Sequence, residues 1–157
     1  MKCSDILFDS NVDDWSDTSV LNDRIIGKKQ LTFLIEDEDG EIFGYYFNTQ
    51  VEDKYYIRQE TDKKTFHFNL QSKNNRLDKP MKFEIKDLKK GGISLFDKSS
   101  YSLIWLGDIW LYKETNRNDS YCGQNEDSFN YHGIKKALCG KTGKDFTPKR
   151  ILVIQMQ

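Results

Sequence analysis

Two prolines, two histidines and three cysteines are all that this chain of 157 residues carries of those types. Apolar residues never run far: the longest stretches, such as Ile42 to Phe47, have strand length, well short of the ~20 residues of a membrane-spanning helix. Asp5, Asp9, Asp13 and Asp14 interrupt the first residues, where a secretory signal needs an unbroken apolar segment. Cys3, Cys122 and Cys139 form no CxxC pair, and an odd count does not close a disulfide framework. Reduced thiols and a cytoplasmic or nuclear protein are the expectation. With only His67 and His132, general-base chemistry near neutral pH has two histidine candidates. Charge of one sign is missing too: 24 basic against 25 acidic residues give −1, no global attraction for nucleic acid or an anionic membrane.

What the chain does have is aromatic residues, 13%, in alternating patterns. Leu31 to Ile35, the acidic turn Glu36 to Gly40 and Ile42 to Phe47 read as a β-hairpin closed at Asp39-Gly40. Gly44, inside the second strand, marks a bulge or a close approach of another backbone. Phe66, Phe68 and Leu70 alternate with His67, Asn69 and Gln71, and Met81, Phe83 and Ile85 with Lys82, Glu84 and Lys86. Each set reads as a strand with its apolar residues inward and its polar residues wet, which puts His67 in solvent. Shorter runs at Ile6 to Phe8, Ile93 to Phe96, Leu103 to Leu106, Ile109 to Tyr112 and Ile151 to Ile154 add further strands. Helical patterning is confined to a segment capped by Ser16 and running to Arg24, with Gly27 beyond it, and to Ile134 to Leu138 before Gly140. Residues 71–80 and 114–127 are polar and read as loops. Many short strands and few helices predict a mainly β fold, a two-sheet antiparallel β-sandwich with short peripheral helices, spanning 1–157 as one domain.

Searches for chemistry return little. An EF-hand loop aligned on Asp37, Asp39 and Gly40 would start at Ile35 and end at Tyr46, neither of which supplies a ligand. Gly140-Lys141-Thr142 resembles the end of a phosphate-binding loop, but Lys135 stands where its first glycine belongs. Cys122, His132 and Cys139 lack the paired spacing of a zinc site. A Cys122–His132 dyad has no third orienting group in the sequence. Cys122, in a polar segment that reads as exposed, is the one redox candidate. No metal site, cofactor site or catalytic residue is assigned. Trp15, Trp105 and Trp110 read as core or sheet cover, and Lys63-Lys64, Lys89-Lys90 and Lys149-Arg150 as solvated surface unless set beside exposed aromatics.

The order of these features resembles a TLDc domain. Ile6 to Ser10 is similar to that family's opening strand, Arg24 and Gly27 to the end of its first helix, and Thr32 to Phe47 to its central hairpin. Thr65 to Phe68 is similar to its phenylalanine-bracketed strand, Leu106-Gly107 to its glycine turn, Ser128-Phe129 to a Thr-Phe step, and Asp145 to Ile154 to its closing strand. Three departures stand out: Asp14-Trp15-Ser16 replaces a His-Gly pair, Gly107 stands alone for a double glycine, and Ile151 to Ile154 lacks the usual carboxylate. The resemblance implies a protein-interaction module without catalysis, tied to oxidative-stress resistance. It also implies binding to the vacuolar proton-pumping ATPase, and so a cytoplasmic protein held beside acidic organelles through that partner. The alternatives are a redox sensor or weak peroxide-handling enzyme using Cys122, and a nucleic-acid-binding stress regulator using Lys149 and Arg150. The chain could equally be one domain of a larger protein.

Overall fold

A computed structural model describes residues 3–53, 55–57, 64–141 and 145–156. In chain order these form β1 (Cys3–Asp9), α1 (Ser19–Ile25), β2 (Leu31–Asp37), β3 (Ile42–Phe47), β4 (Tyr56–Ile57), β5 (Phe66–Gln71) and β6 (Met81–Glu84). They continue through β7 (Ile93–Leu95), β8 (Ser102–Leu106), β9 (Ile109–Tyr112), β10 (Tyr121–Cys122) and β11 (Pro148–Met156). One sheet has the order β1-β11-β2-β3-β5-β6 and the other β10-β9-β8-β7-β4, all neighbours antiparallel. The expected sandwich is therefore present.

Alternation decides what enters the space between the sheets. Phe8, Leu31, Phe33, Ile35, Phe43, Tyr45, Phe47, Ile151 and Val153 come from the six-stranded sheet; Ile93, Ile104, Leu106, Ile109 and Leu111 come from the other. The hairpin keeps the expected register, with Leu34 opposite Gly44 and Leu31 opposite Phe47. A Cβ on Gly44 would lie 1.9 Å from the Phe33 carbonyl oxygen and 2.8 Å from Phe68 Cζ, which is the close approach the strand glycine foretold.

The first helix starts later than expected. Asp14 accepts the Ser16 backbone N–H at 2.8 Å and Asp17 that of Ser19 at 2.7 Å, so local turns take the donors a Ser16 cap would have ordered. Leu21 and Ile25 are buried, and Val20 packs against the core beside them. Ile134 to Leu138 is not a helix. The chain there is a series of turns, with positive φ at Gly133, Lys136 and Gly140, which no right-handed helix accommodates. The two-residue strands β4 and β10 are too short to leave a periodic signal in the sequence.

Candidate functional site

Strand β5 lies between β3 and β6, and its faces are the reverse of the expected ones. His67 is wholly buried and Asn69 is 1% exposed, while Leu70 is 48% exposed. His67 pairs with the inward Tyr45 across the sheet and Phe66 with the outward Tyr46. The polar side chains are admitted to the core because each finds partners there. The His67 ring stacks 4.4 Å from Tyr45 and 4.4 Å from Phe129. Its Nδ1 meets the Gly44 carbonyl at 3.1 Å, and its Nε2 accepts the Asp108 N–H at 3.0 Å. Asn69 donates to the Leu138 carbonyl at 2.7 Å and to Glu41 Oε2 at 3.3 Å. Buried polar groups survive where such bonds replace water.

The consequence is an apolar outer surface. Leu34, Tyr46, Phe66, Phe68, Leu70, Ile154 and Met156 line a shallow groove of about 490 Å³ on the outside of the six-stranded sheet. Tyr46 stacks on Phe66 at 5.2 Å, Phe66 meets Phe68 edge-on at 6.3 Å, and the Lys82 ammonium lies 4.3 Å above the Phe66 ring. Ile6, 63% exposed, stands opposite Ile154 at the β1 side. Tyr46 and Phe68 are themselves buried by their neighbours, so the apolar surface offered to a partner comes chiefly from Leu70, Ile6 and the half-buried Leu34, Phe66, Ile154 and Met156.

The hairpin turn is solvated at its tip, where Glu38 and Asp39 are exposed, but not at its flanks. Asp37 and Glu41 are 1% and 2% exposed. Asp37 Oδ1 accepts the N–H groups of Asp39 and Glu41 at 2.9 and 3.0 Å, and burial raises its carboxyl to about 6 against those bonds. Glu41 Oε1 takes Arg76 Nε at 3.0 Å and Nη2 at 2.7 Å, and Arg76 also reaches the Lys136 carbonyl. These contacts tie the hairpin to the segment after β5; no ligand is needed to explain them.

The redox candidate is misplaced as an exposed thiol. Cys122 and Cys139 are both free and buried, and the Cys122 thiol lies against Cys139, with burial first and Cys139 second pushing it well above the usual thiol range. β10 points Cys122 inward and leaves Tyr121 half-buried on the other face, which composition alone did not reveal. His132 is exposed and bonds the Lys82 carbonyl at 3.2 Å, and among the described residues no hydrogen bond joins it to Cys122. Among the described residues no three His, Cys, Asp or Glu side chains gather as metal ligands do, and no helix is long and apolar enough to cross a membrane. Lys149 pairs with Glu36 at 3.6 Å and Arg150 forks onto Asp9 at 3.1 and 2.7 Å, so both basic residues face carboxylates. The phosphate-loop reading reaches Thr142, outside the described residues, as does Lys63. No family model and no curated protein matches the chain.

Proposed function

We propose that the chain is a non-catalytic protein-interaction module of the TLDc type, and that it docks a protein partner on the outer face of its six-stranded sheet. The reversed strand β5 carries this reading: it turns Phe66, Phe68 and Leu70 to the outer face, where Leu70 is exposed, Phe66 half-buried and Phe68 buried among its neighbours, while His67 and Asn69 go in. An outward aromatic cluster makes sense when another surface covers it, because water-to-interface transfer is worth ~25 cal/mol per Å² of apolar area. The resemblance of the sequence motifs, in their order along the chain, to a TLDc domain implies the partner class, subunits of the vacuolar proton-pumping ATPase, and the biological setting, resistance to oxidative stress. Function then consists of binding one arrangement of the partner assembly more tightly than another. The buried thiols and the carboxylate-paired Lys149 and Arg150 support this reading over a Cys122 redox sensor and over a nucleic-acid regulator.

Affinity capture from the chain's own cells, with and without peroxide, tests it. Wild-type protein should recover proton-pump subunits, and Leu34→Lys with Leu70→Lys should cut that recovery about tenfold, the effect of placing charge in an apolar interface core. The two exposed or half-exposed positions should leave the melting temperature within a few degrees. Capture of the pump by the folded double variant at wild-type level would reject the face; absence of pump subunits from the wild-type sample would reject the partner.

A further inference from the structure

The outside of the five-stranded sheet carries a second array, unrelated to the groove above. Trp105 and Trp110 are cross-strand partners on β8 and β9. Their rings stack at 4.8 Å with 26° between planes. Trp110 continues the ladder to Tyr121 at 5.7 Å and 20°, and to Tyr112 at 6.3 Å and 24°. Its indole N–H donates to Ser102 Oγ at 2.8 Å, which holds the ring in place. Trp105 ends the ladder. Among the described residues Trp110 is its single ring partner, and Trp105 goes on to line a cleft of about 320 Å³.

The other walls of that cleft are polar in a particular way. Lys89, Lys90, Asp108, Asn125 and Ser128 line it together with Gly92 and Gly107, and the space a Cβ on Gly107 would need is taken by His67 Nε2 at 2.7 Å. Asp108 is held from behind: Oδ2 accepts the Tyr131 hydroxyl at 2.5 Å and the Asn125 N–H at 2.8 Å, and its own N–H donates to His67. Among the described residues Oδ1 has no such partner. Burial raises this carboxyl above the ordinary range, which the Tyr131 and Asn125 bonds oppose. A flat aromatic face, a pre-oriented acceptor and two ammonium groups together suit a ligand with a planar ring, N–H or O–H donors and an anionic group. Basic residues beside an aromatic platform are the pairing that recognition of nucleoside phosphates uses, and the volume lies at the lower end of ligand clefts, about 300 Å³.

We propose that this cleft binds a mononucleotide, with the base extending the ladder on Trp105, a base or ribose donor on Asp108, and the phosphate at Lys89 and Lys90. The site does not depend on the docking face, and its test does not use it. Tryptophan fluorescence and calorimetry on the full chain, with GMP, AMP, UMP, CMP, ribose 5-phosphate and a short single-stranded DNA, read the outcome. At least one mononucleotide should saturate with a Kd below about 1 mM. Trp105→Leu should raise that Kd about tenfold or more, the loss of one stacking contact. Lys90→Ala should raise it several-fold and flatten its salt dependence. Tighter binding of the DNA would identify a strand end as the natural source, and weaker binding a free nucleotide. No saturation by any mononucleotide, equal binding of ribose 5-phosphate, or an unchanged Kd in folded Trp105→Leu would overturn the proposal. If Trp105→Leu does not fold, Lys89→Glu with Lys90→Glu decides: retained binding would overturn it and lost binding would support it.

Discussion

His67 holds a fixed tautomer. The Asp108 N–H donates to Nε2, so that nitrogen carries a lone pair and Nδ1 carries the proton given to Gly44. A second proton would break the Asp108 bond inside a ring of Tyr45 and Phe129, and burial, partly offset by the Gly44 bond, lowers the imidazole from 6.5 to about 3. The unfolded chain therefore binds the extra proton first. Its stabilising contribution is whole above pH 6.5 and is lost as pH falls toward 3, at up to about 1.4 kcal/mol per unit. Urea midpoints from pH 7.5 to 3.5 should show that slope in the wild type relative to His67→Gln; parallel profiles would contradict it. Little of this was legible in the sequence, where a histidine between two phenylalanines reads as wet. Gly44 was legible, since a strand glycine has few uses other than the contact it makes with Phe33 and Phe68.

The hairpin between β2 and β3 was readable as an element, and its turn chemistry was not. Asp39-Gly40 closes it, with Gly40 at φ +89°. Asp37 instead turns inward and is sealed by the chain around it. Its carboxyl shifts opposite to the His67 imidazole in sign of effect: raised from 3.8 to about 6, it binds a proton more readily folded than unfolded. Its contribution is full below pH 3.8 and is lost as pH rises through about 6. Asp37→Asn, which keeps an acceptor for the Asp39 and Glu41 N–H groups, should therefore gain on the wild type as pH rises from 4 to 6.5, at up to about 1.4 kcal/mol per unit. A pH-independent difference between the two midpoints would show that Asp37 is charged in both states.

Across the whole molecule, the two ends of the chain meet in one sheet. β11 lies between β1 and β2, pairs with both along most of its length, and brings Ile151 and Val153 to the core beside Phe8. The Arg150–Asp9 fork joins residues 141 apart in sequence. Removing residues 148–157 would strip both neighbours of their ladder bonds and open the core, a loss larger than the ~5–15 kcal/mol that typical domains have. The truncated chain should show no cooperative melt by circular dichroism. A sharp thermal transition in it would mean that the remaining strands stand alone.

The sequence by itself determined where the chain extends: strand and turn residues are local properties, and the period of two is set by the pleat of a single strand. Which side of each strand faces inward was decided only by tertiary structure, because alternation defines two faces without ranking them. In β5 the ranking went to hydrogen-bond partners from distant segments, Gly44 and Asp108 for His67, Leu138 and Glu41 for Asn69. That choice left Phe66, Phe68 and Leu70 on the outside.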